Sequence, residues 1–164
     1  MDEWRIWPPG VQAQVPVIIA GGGERRTLRL VAELADACNL QPDRFLEDDL
    51  TPEMIRHKLD VLRRHCADIG RDPDSVLVSA WNGFTICAPT EAEVRQKVQR
   101  YAPRGLRPSA AIYHCGTPQQ LAAYYTARVR AGVQYMVVQP IVASDHETLR
   151  LIATEVLPAV RAAV

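Results

Sequence analysis

The sequence predicts an α/β protein with a parallel sheet. Three observations carry that expectation: short unbroken apolar runs, stretches of helical apolar spacing between them, and threonine- or proline-marked helix starts separating the runs. Crossovers of that length are what parallel pairing requires. The 164 residues suit one domain with a real core, spanning 1–164 with residues 1–14 as a Pro-rich lead.

The first run, Val15 to Ala20, reads as a strand buried on both faces, stopped by Gly21, Gly22 and Gly23. From Glu24 the period becomes helical through Leu28, Val31, Ala32 and Ala35. Ala35 to Leu40 is a weaker strand. Thr51-Pro52 opens a helix whose stripe is Ile55, Leu59, Leu62, Cys66 and Ile69, ended by Gly70. Thr90 to Glu93, Thr117 to Gln120 and Ser144 to Glu147 each fit a capping box, in which cap and third residue satisfy each other's backbone amides. Val76 to Trp81, continuing through Gly83 to Cys87, reads as a strand with a bulge. Tyr135 to Ile141 is the last strand. The predicted order is β-α-β-α-β-α-α-β-α, with Pro103 to Ala110 as a mobile loop.

With 19 basic and 19 acidic residues, nothing favours a partner held by bulk charge, such as nucleic acid. No apolar run reaches membrane-span length, and the first residues lack a signal-peptide h-region. Cys38, Cys66, Cys87 and Cys115 form no CxxC, so reduced thiols in a cytoplasmic protein are expected.

The chemistry-bearing feature is Gly21-Gly22-Gly23 between strand and helix. Glycine lets the backbone approach a ligand, and free amides at the helix start favour an anion, with Arg25 and Arg26 adding charge. Glu24 competes there as an internal anion. His57 and His65 read as solvated, and Cys38 and Cys87 as small core residues. His65-Cys66 and His114-Cys115 have no second ligand pair at zinc spacing, so no metal site is assigned. Trp81 reads as core packing. Walker A, Gly-x-Gly-x-x-Gly and Gly-x-Ser-x-Gly motifs are absent, and no catalytic residue is assigned.

A small open α/β sandwich accommodates this pattern, but several segments point elsewhere. The stretch WPPGVQAQVPVIIAGGGERRTLRLVAELADACNL resembles the middle of the luciferase-like monooxygenase family, in its F420-dependent oxidoreductase subgroup. Cys66 to Pro73, Gly116 to Gln120, Ala131 to Val133 and Glu155 to Pro158 resemble later segments of that family. The resemblance implies four βα units equivalent to the C-terminal half of a TIM (β/α)8 barrel, since a whole one takes about 250 residues. It also implies that Gly21, Gly22 and Gly23, with Arg25 nearby, cradle the phosphate of FMN or coenzyme F420. Asn39 would line the cleft, and Asp36 would tie down neighbouring backbone.

The half that would carry strands one to four supplies much of the flavin pocket and the usual catalytic side chains. Two function classes therefore stand. One is a flavin- or F420-dependent oxidoreductase or monooxygenase completed by a second half, either another copy in a homodimer or a complementary chain, acting on a small molecule. The other is a non-catalytic phosphate-ligand-binding or assembly module derived from a truncated barrel.

Overall fold

The computed structural model describes residues 14–41, 49–101 and 113–164; the Pro-rich lead up to residue 13 and the loop Pro103 to Ala110 lie outside the described residues. The elements are β1 (Ile18–Ala20), α1 (Thr27–Leu34), β2 (Ala37–Leu40), α2 (Pro52–Asp68), β3 (Leu77–Cys87), α3 (Glu91–Tyr101), β4 (Tyr113–Gly116), α4 (Pro118–Arg130), β5 (Tyr135–Pro140), α5 (His146–Leu151) and α6 (Leu157–Ala163). Every strand pairing is parallel. β1 pairs β2, β2 pairs the first half of β3, and β5 pairs β3 from Ser79 to Thr85. Phe84 pairs with both Tyr113 and Gln139, so β4 lies on the edge of β3 opposite β5, end to end with β2.

Local chemistry accounts for most element ends. The Thr51 side chain accepts from the Met54 amide with Pro52 at the first helical position, and Gly70 reverses the chain at φ 69°. Thr117 and Gln120 form the predicted reciprocal box, and so do Thr90 and Glu93. The register of β3 against β5 shifts between Trp81 and Phe84, where Gly83 takes φ 92°, so the predicted bulge is present. Between α5 and α6, Ile152–Val156 widen into a π turn. Pro158 lies just beyond, and its ring crowds the carbonyl four residues back and offers no amide.

Five expectations are corrected. α1 starts at Thr27 rather than Glu24, because Glu24 is drawn away to α2. The last box is not Ser144 to Glu147: Asp145 is the cap, accepting from the Thr148 amide at 3.1 Å, and its carboxylate is held by Lys97. Ile69 leaves the stripe of α2 at 46% exposure, beyond the helix end. β4 intervenes where two helices were expected in succession, because the bulged upper half of β3 offers Phe84 to Cys87 as a free edge. The fifth concerns β1, which is not buried on both faces: Ile18 is 64% exposed and Val17 47%.

The reason lies in the two faces of the sheet. Outward residues Ile19, Cys38, Leu40, Val78 and Ala80 pack under α1 and α2 against Leu28, Val31, Leu59 and Leu62. A second cluster joins Cys87 to Leu121, Tyr125, Leu151 and Val156. The register places Ile18, Ala37 and Leu77 in one row, and Ala20, Asn39, Ser79 and Tyr135 in the next, on the opposite, inner face. On that face Ala37 and Ser79 are buried, while the residues toward the edges are open to solvent. Leu77 is 45% exposed and Tyr135 61%.

Candidate functional site

The glycine loop opens at the C-terminal end of β1, where parallel α/β proteins gather their ligands. Gly21 sits at φ 126° and donates its amide to the Asn39 carbonyl at 2.9 Å. A Cβ on Gly21 would stand 3.2 Å from Thr27 Cγ2, and one on Gly23 would stand 2.8 Å from Thr27 Oγ1. Thr27 therefore closes down on backbone that only glycine leaves room for. A Cβ on Gly22 would meet Lys58 Cε at 3.4 Å, an ordinary contact, so Gly22 is the open member of the three.

Asn39 joins this loop through its backbone, and its Oδ1 lies 3.2 Å from Ser79 Oγ on the inner face. Arg25 is exposed in the turn beyond the glycines. Asp36 has the structural role expected of it, accepting from the Val17 amide at 2.7 Å and so holding the entry to β1. Trp81 is half-buried, packing edge-on to Phe84 and donating to Gln139 Oε1 at 3.2 Å, rather than filling the core.

Three residues of α2 enter the site without having been foreseen. Lys58 Nζ lies 3.0 Å from Glu24 Oε1, and His57 Nε2 lies 3.1 Å from the same oxygen. His65 Nε2 donates to the Glu24 carbonyl at 2.8 Å, which makes His65 an anchor of the loop rather than a solvated side chain. The hydrogen bond from Lys58 outweighs desolvation and holds the Glu24 carboxyl below its ordinary range. A signal existed: Lys58 stands three residues after Ile55 and four before Leu62, and His65 three after Leu62. Helical spacing therefore puts both on the face that α2 turns to its neighbours.

No cysteine is poised for nucleophilic chemistry. Burial pushes the thiols of Cys38, Cys87 and Cys115 up to about 11, far above the range of a reactive thiolate. His114 is buried on the helix side of β4, where Tyr124 Oη lies 3.1 Å from its Nε2 and donates to Asp49 Oδ1 at 3.0 Å. Asp49 in turn pairs with buried Arg128. That cluster ties α4 to the start of α2 and faces away from the inner sheet.

The geometry thus defines a parallel α/β half-barrel with a glycine loop at its ligand-binding end. The chain belongs to the luciferase-like monooxygenase family, whose profile matches residues 2–127. No curated protein matches it in sequence. Three solved structures show the same fold. The coenzyme F420-dependent tetrahydromethanopterin reductase of Methanopyrus kandleri is 14% identical with a TM-score of 0.62, matching 88% of this chain and 50% of its own. An EDTA monooxygenase from a Chelativorans species is 17% identical with a TM-score of 0.67, over 88% and 44%. The oxygenating constituent of 3,6-diketocamphane monooxygenase from Pseudomonas putida, solved with FMN, is 15% identical with a TM-score of 0.57, over 86% and 48%. The chain spans about half the length of these proteins.

Proposed function

We propose that this chain is one half of a flavin- or F420-dependent oxidoreductase barrel and holds the cofactor's phosphate against Gly21, Gly22 and Gly23. The observation that carries this reading is Gly21 at φ 126°, fixed by the Asn39 carbonyl at a strand end. It turns the following backbone toward the start of α1, with the Thr27 hydroxyl and the Lys58 stem the side chains that lie against the loop. Arg25 and Lys58 supply positive charge, and Asn39 lines the inner face beside the loop. Bound there, a flavin or deazaflavin ring would supply hydride transfer or oxygen activation. The chain's own contribution is to grip the phosphate and orient the ring over the inner face, with a second half completing the domain. Its free, unpaired cysteines support a reducing compartment such as the cytoplasm. No helix among the described residues is long and apolar enough to cross a membrane.

One observation favours the second reading, a binding or assembly module without redox activity. Among the described residues the inner face presents Asn39, Ser79, Trp81 and Gln139 but no histidine, carboxylate or lysine to move a proton.

Fluorescence titration with F420, FMN and riboflavin tests the phosphate grip. Binding of F420 or FMN with no binding of riboflavin is the expected result, since riboflavin carries the ring without the phosphate. Equal affinity for FMN and riboflavin removes the glycine loop from the site.

A further inference from the structure

The apolar side chains left in water are not scattered. Of the twelve large ones exposed among the described residues, ten belong to the first and last βα units. They are Val15, Val17, Ile18, Leu30 and Leu34 at one end, and Tyr135, Val137, Leu149, Leu157 and Val164 at the other. Both the sheet layer and the helix layer are therefore unfinished at the same two edges. Neither Val15 to Ala20 nor Tyr135 to Ile141 contains a charged residue; the guard each run does carry is a single proline, Pro16 and Pro140, which removes one amide and leaves the rest of the edge free to pair. Five of the ten, Val15, Ile18, Leu34, Tyr135 and Val164, are more than 60% exposed, a surface that two copies closing on each other would hide.

We propose that the missing half is a second copy of this chain, with β5 of each copy paired in parallel to β1 of the other so that Val137 lies opposite the partner's Ile18. This rests on the half-barrel part of the function proposed above and not on its cofactor. The register follows from the observed pairings. Walking across the sheet, Ala20 leads to Asn39, Ser79 and Tyr135 in one row, and β4 stays out of that row. An eight-stranded barrel of this type returns to its first strand displaced by about eight residues, so each of two identical seams contributes about four. Tyr135 must then face residue 16 or residue 24 of the partner. Residue 24 lies past the glycine loop, in the turn before α1, whereas residue 16 is Pro16 in the apolar run leading into β1, so pairing there lacks one amide and is carried by the residues from Val17 onward.

Choosing residue 16 brings inner-face side chains together: Val137 meets the partner's Ile18, and Gln139 the partner's Ala20. On the outer face Val138 meets the partner's Ile19. Val17 and Gly21 direct their backbone bonds to the β2 side, so by alternation Ile18 and Ala20 turn theirs to the free edge, as this pairing needs. In the helix layer Leu30 and Leu34 of α1 come beside Leu157 and Val164 of the other copy. The closed barrel then carries two glycine loops on one rim.

The test mixes two singly substituted chains, Ile18→Cys and Val137→Cys, under copper-phenanthroline, which takes two electrons as the two thiols join. A mixed disulfide in about half of the protein, the heterodimer share of an equal random mixture, is expected, at least tenfold above an Ala20→Cys and Tyr135→Cys mixture, whose positions stand four residues out of register. Light scattering of the unmodified chain should give twice 18.3 kDa. Its Ile18 and Ala20 amides should exchange slowly with solvent. A stable monomer at micromolar concentration overturns the proposal, and so does a dimer whose Ile18 and Ala20 amides exchange at once and whose disulfide yields do not separate. Loss of cofactor binding with the Ile18–Val137 disulfide retained removes the cofactor reading and leaves the dimer. A monomer that binds FMN does the reverse.

Discussion

Lys58 and Glu24 form an ion pair at 3.0 Å across the gap between the glycine loop and α2. The lysine stem lies over Gly22, so one side chain connects the loop, the turn after it and the neighbouring helix. Glu24 occupies Lys58 much as a bound anion would. Glu24→Gln should therefore tighten phosphate or FMN binding several-fold, because a neutral amide no longer competes for the ammonium. Lys58→Met should weaken binding about tenfold, the order expected for a charge-assisted hydrogen bond. Calorimetry on both variants checks the opposite signs.

Glu24 has its carboxyl held below the ordinary value, so its pairing stabilises the fold at pH above about 4.5 and is lost as pH falls through the lowered folded value. Acid titration of wild type should show a stability loss below pH 4.5 that Glu24→Gln lacks. Identical acid profiles would show that the pair contributes nothing.

Gly21 and Gly22 should respond differently to alanine. Gly21→Ala places a side chain at φ 126° and 3.2 Å from Thr27, and strain of this kind costs about 1–3 kcal/mol. Gly22 has no positive φ, and its Cβ would make only ordinary contacts, so Gly22→Ala should leave stability within about 0.5 kcal/mol. Denaturant curves separate the two.

Asp145 caps α5 and pairs with Lys97 at 2.8 Å, with side chains only 2% and 14% exposed. Burial raises the Asp145 carboxyl, but bonds from Lys97 and Thr148 overcome it and hold the group below its usual value. Asp145→Ala should cost about 3 kcal/mol, combining a lost cap with a part-buried ammonium left to Glu147. Asp145→Asn keeps the cap and should cost less. Equal losses, read from denaturant midpoints, would show that the charge is idle.

Thr117→Ala removes the capping-box acceptor of α4 and should cost about 1 kcal/mol, whereas Thr126→Ala inside the same helix should cost less. Thermal unfolding of the two variants ranks them.

The helix starts at Thr51, Thr90 and Thr117 were legible because a cap is written within four residues of chain. Asp145 was missed because Ser144 offers the same motif one position earlier, and the choice between them was made by Lys97, 48 residues away in sequence. Asp36 was legible through resemblance. For Lys58 and His65 helical spacing gave the packed face of α2, but only its packing against the turn before α1 reveals that they touch Glu24. The exposure of Ile18 contradicts the burial its apolar run suggests and follows only from counting four strands, which leaves that run at an open edge. An apolar run looks the same whether its covering partner is in the same chain or in another.

In the function proposed above, the glycine loop grips a cofactor phosphate. The direct measurement is FMN and F420 binding by wild type and by Gly21→Val, with folding of the variant verified by circular dichroism. Binding by wild type, lost at least tenfold in a folded Gly21→Val chain, is the predicted result. Undiminished affinity in the folded variant, or no binding of either cofactor by wild type, contradicts the account.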